Sequence, residues 1–120
     1  MDRVTANELD RLARARQAVQ GIGDAALRSN QHRAEVLAVA LEAAGRGDLN
    51  DDDWSAAAAV AHQLVGSAGT FGYTRASKLA RELEHFLIAA ESGPSELTAA
   101  RAALGVISLD LRAAPDDEQF

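Results

Sequence analysis

Cysteine is absent from this sequence of 120 residues. Without a thiol, the chain has no disulfide framework, no zinc–thiolate site and no cysteine nucleophile. A protein that needs no disulfides suits a reducing compartment, so we expect a cytoplasmic location. The N-terminal residues are charged from the second position and contain no apolar run, so the sequence does not predict a signal peptide.

Aromatic residues are also scarce, at 4% of the chain, and there are only two prolines. No stretch shows the strict alternation of apolar and polar residues, or the β-branched richness, of a strand. Alanine, leucine and arginine dominate instead, and these are good helix formers. The length suffices for one compact domain with a single core. We therefore predict an all-α fold with one domain over residues 1–120.

Positive charge is in deficit, because the formal net charge is −6. No cluster of Lys and Arg is interleaved with aromatic residues, so we expect no nucleic-acid partner. Long hydrophobic runs are missing too. Residues 54–74 carry no formal charge and approach the ~20 residues that span a bilayer, but they are rich in Ala, Gly, Ser and Thr. This composition predicts a helix with a small-residue face and no membrane partner.

Capping residues and glycines divide the chain into helical segments. A capping-box pattern from Thr5 to Glu8 opens an N-terminal helix, and the glycines at 21 and 23 are expected to weaken or kink it. The same signals bound four further helices. The first ends at Gly45 and Gly47, and the second begins at residues 51–53 and ends in a left-handed C-cap at Gly72. The third begins at Thr74, and the fourth begins at Ser95 and ends before Pro115.

Short connections between these helices favour antiparallel neighbours. The predicted architecture is an antiparallel up-and-down four-helix bundle with an additional N-terminal helix. The N-terminal helical segment covers about 1–28, the bundle core covers 30–113, and an acidic tail over 114–120 is expected to fray.

The helix that contains His62 is unusual, because its outer side lacks the charged residues of an ordinary solvated face. At about 100° per residue, its predicted core stripe consists of Ala57, Val60, Leu64, Ser67, Ala68 and Phe71. His62 points away from that stripe, and its side also holds Ser55, Ala58, Ala59, Val65, Gly66 and Gly69. An interior helical glycine costs ~1 kcal/mol relative to Ala. We interpret Gly66 and Gly69 as steric clearance beside an exposed imidazole, where a partner's active site can approach.

The same segment resembles the signature of histidine phosphotransfer (HPt) domains. That signature reads His, any residue, Leu, usually Lys, Gly, two small residues, then a hydrophobic residue and Gly, with a Leu…Leu-Glu helix following. The matching positions are His62, Leu64, Gly66, Ser67, Ala68, Phe71, Gly72, Leu79, Leu83 and Glu84. The resemblance covers about residues 51–91 and implies that His62 is a phosphoacceptor in a two-component phosphorelay.

One position departs from the family pattern, because Val65 stands where Lys is common. Positive potential for a partner would then come from an outward stripe on the next helix, formed by Lys78, Arg81 and His85. Such a stripe is also typical of a solvated face with ion pairs. The predicted docking residues are Ser55, Ala58, Ala59, Gln63, Val65, Lys78, Arg81 and His85.

Histidine suits phosphoryl relay because a neutral ring nitrogen is a nucleophile near neutral pH. No carboxylates are evident around His62 to hold Mg²⁺, and the resemblance implies that a receiver domain brings the metal. We expect no cofactor in this chain and no stand-alone catalytic activity. The expected partners are response-regulator receiver domains and a sensor or hybrid histidine kinase, and the expected state is a monomer.

Other functions remain open at this point. An adaptor of the same fold would bind a receiver or kinase without carrying phosphate, and Val65 leaves room for it. The chain would alternatively be a module of a larger kinase whose ATP-binding domain lies elsewhere. A metalloenzyme or a Ser–His–Asp enzyme is disfavoured, because the sequence has no HExxH motif and no nucleophile elbow. His32 and His85 are interpreted as ordinary surface residues.

Overall fold

The computed structural model describes residues 5–90 and 93–115. Within these ranges the chain forms four α-helices and no strand, which confirms the all-α prediction. The helices are α1 (Ala6–Gly45), α2 (Asp51–Thr70), α3 (Thr74–Ala89) and α4 (Pro94–Asp110). The predicted acidic tail lies mostly outside the described residues, as does the predicted start at residues 1–4.

The four helices pack in a ring, in which α2 and α4 each contact both α1 and α3. Trp54 and Phe86 meet edge-to-face at 5.9 Å between ring centroids, whereas the Ser77 hydroxyl donates to the Val65 carbonyl at 2.7 Å toward the other end of the pair. These contacts show that α2 and α3 run antiparallel. Gln31 of α1 likewise donates through Nε2 to the carbonyl of Leu111, just past α4, at 3.0 Å.

Leucine and alanine build the core. The fully buried large side chains are Leu37, Leu41, Leu64, Leu83, Leu87, Ile107 and Leu111, with Asn30 as the polar exception. Alanines at the helix contacts, such as Ala61 and Ala80, have no exposed surface. Small residues let helix axes approach closely, so α2 and α3 form a tight hairpin. Within the described residues, no helix combines the length and apolar character required to cross a membrane.

The prediction of a separate N-terminal helix is wrong, because α1 runs without a break for 40 residues. The capping box that opens it is confirmed: the Glu8 amide donates to the Thr5 hydroxyl, and the Thr5 amide donates to the Glu8 carboxylate. Gly21 and Gly23 do not adopt positive φ angles. A glycine ends a helix where the chain turns through the left-handed region, and otherwise it only lowers helix stability.

Two glycines do turn the chain in this way. Gly47 has a φ of 72° after α1, and Gly72 has a φ of 89° after α2, which confirms the predicted left-handed turn at Gly72, one residue past the C-cap Phe71. A side chain at either position would strain the backbone. The resulting tight turn after α2 directs α3 back along it, so residues far apart in sequence meet beside His62.

The predicted helix starts lie at or within one residue of the observed ones. Asn50 caps α2, and Asp53 completes a capping box with it instead of acting as the cap itself. α3 begins at Thr74, although its N-cap is Tyr73, and α4 begins at Pro94, one residue before the predicted start at Ser95. Proline at the first helical position is favourable because its missing amide would have had no partner there.

Candidate functional site

His62 projects from the middle of α2 with 74% of its side chain exposed. The predicted orientation is therefore correct: the residue points away from Leu64 and Ala61, which are completely buried on the same helix. An imidazole on a helix surface is held only by its immediate neighbours. Its chemistry therefore depends on which side chains the next helix brings to it.

Glu84 of α3 provides the contact that the sequence did not reveal. Its Oε2 atom lies 2.8 Å from Nδ1 of His62, and only 17% of the Glu84 side chain is exposed. An ionised carboxylate only accepts hydrogen bonds, so Nδ1 must donate. In the neutral ring the proton then stays on Nδ1, and Nε2 carries the lone pair. Within the part of the chain that the structure describes, Nε2 has no hydrogen-bond partner.

The spacing of residues along α2 alone does not predict a carboxylate beside His62. Glu84 was identified only as a matching position in the family signature. The two residues are 22 positions apart, and helical periodicity relates only residues on one helix. The register of the antiparallel α2–α3 hairpin, set by the turn at Gly72, places Glu84 beside the ring. The register of this hairpin was therefore the signal from which the contact between His62 and Glu84 could have been predicted.

Gly66 and Gly69 follow His62 by one and two turns and differ in their surroundings. A Cβ atom built at Gly66 would meet nothing within 4 Å among the described residues. Intramolecular packing therefore gives no reason for glycine at position 66. At Gly69 a Cβ atom would lie 3.1 Å from the Ser77 hydroxyl oxygen, so Gly69 permits the close approach of α3. Its role in clearance for a partner stays a prediction.

The predicted docking residues of α2 differ in how much of each residue is exposed to solvent. Ser55, Ala59 and Gln63 are exposed, and Ala58 is half-buried. Val65 is only 9% exposed, so its assignment to the docking surface is wrong. The helix packs against both α1 and α3, which makes its buried arc wider than the predicted core stripe.

The basic stripe on α3 is exposed as predicted at Lys78, Arg81 and His85. By helical rotation, Arg81 lies about 60° from Glu84, whereas His85 and Lys78 lie about 100° and 120° from it, on the same side. Arg81 is therefore the basic side chain nearest to the direction in which Glu84 points. The other two lie further around the helix toward solvent.

An apolar residue that the sequence analysis missed lies on the opposite side of the pair along α3. Ile88 is 66% exposed, one turn after Glu84. With Trp54, Ser55 and Ala58 it lines a shallow groove between α2 and α3. Asp51 lines the same groove, so the surface toward the end of α3 combines apolar Ile88 with an acidic residue, whereas the surface toward the beginning of α3 is basic.

Across residues 5–90 and 93–115, no group of three or more His, Cys, Asp or Glu side chains is arranged to hold a metal ion. His62 and Glu84 supply one nitrogen and one carboxylate, and these two groups already contact each other.

Comparison with known proteins gives one match. The family model described as "Hpt domain" matches residues 5–116, which include all four helices. No curated protein and no solved structure matches the chain.

Proposed function

The chain belongs to the Hpt domain family, whose members act in histidine phosphotransfer in two-component phosphorelays, and on that premise we propose that His62 is its phosphoacceptor. The contact between Nδ1 and Glu84 carries this assignment, since it leaves Nε2 as the nucleophile on an open surface. His32 lies 3.9 Å from Glu35, and both side chains are at least 75% exposed, so its ring is not held in the same way.

The proposed reaction moves a phosphoryl group without a further co-reactant. Nε2 attacks the phosphorus of an aspartyl phosphate on a receiver domain, the N–P bond forms, and the P–O bond to the aspartate breaks. The aspartate leaves as a carboxylate. The ring, which keeps its proton on Nδ1, becomes cationic, and the Glu84 carboxylate balances that charge. Attack by an aspartate of a second receiver reverses these steps.

The partners follow from the family, because Hpt domains interact with receiver domains and histidine kinases. Hpt domains are phosphocarrier modules, and we propose that this chain lacks stand-alone catalytic activity. Phosphoryl transfer needs charge neutralisation by a metal, so the receiver is proposed to bring Mg²⁺. The proposal places the relay in the cytoplasm. It assigns Ser55, Ala59, Gln63 and Arg81 to docking, with the groove beside Ile88 as the continuation of that surface.

The test of relay function uses the purified chain and a panel of phosphorylated receiver domains with Mg²⁺. Intact-mass spectrometry is expected to show the gain of one phosphoryl group that is labile in acid and stable in base. Incubation with ATP alone is expected to give no gain. If receivers bind the chain but none transfers a phosphoryl group, the protein is an adaptor and the proposal fails.

Removal of the Glu84 carboxylate tests the role of the pair. Glu84→Ala is expected to lower the rate of phosphoryl transfer about tenfold, because the ring loses the acceptor that holds its proton on Nδ1. Glu84→Gln retains an acceptor oxygen and is expected to lose less. Nitrogen chemical shifts of the His62 ring, measured by NMR, report the tautomer directly.

Glu82→Ala is the matched control, because Glu82 is an exposed carboxylate on the same helix. It is expected to change neither the rate nor the shifts. A Glu84→Ala variant with both an unaltered transfer rate and an unaltered Nδ1-protonated tautomer would show that Glu84 does not position the ring.

A further inference from the structure

The first half of α1 extends beyond the bundle. Residues 6–25, which we call the overhang, are exposed throughout apart from the half-buried Gly23, and Asn30 is the first buried residue of the helix. At 1.5 Å per residue the overhang is ~30 Å long, and the described chain measures 67 Å in its longest dimension. The overhang is therefore a helix without tertiary support from the described residues.

An apolar stripe runs along this overhang. Leu9, Leu12, Val19 and Ile22 are between 49% and 68% exposed. Val19 lies in line with the fully buried Leu37 by helical rotation, and the stripe thus continues the core-facing side of α1. Most helices are stabilised by packing of an apolar face. Two interior glycines, at 21 and 23, weaken this one further, so a stable overhang requires a partner on the stripe.

The docking surface of His62 is too far away to supply that partner. Val36 of α1 and Val60 of α2 line one groove, so His62 is about level with the residues just before Val36. The centre of the stripe lies ~20 residues further along α1, or ~30 Å. A receiver centred on His62 therefore leaves the stripe uncovered.

The spacing of the stripe is symmetric. Leu9 and Leu12 are separated by the same interval as Val19 and Ile22, and both pairs are equidistant from a midpoint between positions 15 and 16. A two-fold axis through that midpoint places Leu9 opposite Ile22, and Leu12 opposite Val19, of an antiparallel second copy. Such self-complementarity is what an isologous dimer interface requires.

We infer that the overhang is a dimerisation element that pairs with the overhang of a second copy in an antiparallel arrangement. The dimer buries the apolar stripe of both chains and leaves the two His62 sites exposed at its opposite ends. The inference goes beyond the phosphorelay function and does not depend on it. It replaces the monomer expected from the sequence.

Sedimentation velocity over a range of concentrations tests the dimer. The wild-type chain is expected to show a concentration-dependent dimer, and Leu12→Glu is expected to weaken dimerisation at least about 100-fold, because it buries a charge in the centre of the interface. Val39→Glu is the matched control, since Val39 is 66% exposed on the same helix but lies on its other side. A wild-type chain that is monomeric at all concentrations overturns the inference.

Disulfide cross-linking tests the antiparallel register, and the absence of native cysteine makes the result unambiguous. A Leu12→Cys chain mixed with a Val19→Cys chain is expected to form the mixed dimer on oxidation, because the two introduced thiols lie opposite each other. Efficient cross-linking of Leu12→Cys to itself would indicate a parallel pair and contradict the inference. A dimer with undiminished affinity in Leu12→Glu would place the interface elsewhere.

Discussion

His62→Gln is expected to abolish phosphoryl acceptance completely, whereas His32→Gln leaves it unchanged and His85→Gln, at a predicted docking residue, still accepts the phosphoryl group. Glutamine is close to histidine in size and polarity, but its amide nitrogen is not a nucleophile. The change therefore removes the reacting atom while it alters the exposed surface of α2 very little. The measurement is a time course of phosphoryl gain by intact-mass spectrometry, with each variant at the same concentration of phosphorylated receiver.

The two control histidines are informative because both are exposed and thus open to reaction. Binding of the His62→Gln variant to the receiver, measured by calorimetry, is expected to match that of the wild type within a few fold. A variant that binds normally and still gains an acid-labile phosphoryl group would assign the relay to another histidine. Equal acceptance by all three variants would mean that no single histidine is the acceptor.

Enlargement of the side chain at Gly66 is expected to separate stability from function. Gly66→Ala should raise the free energy of unfolding by about 0.5–1 kcal/mol, because alanine favours helix and a Cβ atom here meets nothing within 4 Å of the described chain. Gly66→Leu should reduce the rate of phosphoryl transfer about 100-fold, because a side chain one turn from His62 displaces the approaching partner. Denaturant unfolding and transfer kinetics measure the two effects.

Gly105 is the matched control for this experiment. It lies within α4, is exposed, and also has open space at its Cβ position. Gly105→Ala is expected to stabilise the protein by a similar amount, and Gly105→Leu is expected to leave transfer unchanged. If Gly66→Leu transfers at the wild-type rate, the glycine does not serve as clearance for the partner.

The features of this protein that the sequence alone predicted are local. The capping box at Thr5 and Glu8, the left-handed turn at Gly72 and the outward direction of His62 all depend on residues within about two helical turns. Backbone geometry fixes rotation and rise per residue, so such features can be obtained from spacing. The prediction of a separate helix before Gly21 and Gly23 is also local, and it is wrong because a penalty of ~1 kcal/mol per glycine does not by itself interrupt a helix.

The features that only the tertiary structure decided involve contacts between helices. Glu84 meets the His62 ring because the turn after α2 sets the register of two antiparallel helices. Val65 is buried because α2 packs on two neighbours at once. Gly69 differs from Gly66 because Ser77 of α3 approaches only one of them. Each of these facts depends on the relative position of two helices, which the periodicity of either helix alone does not contain.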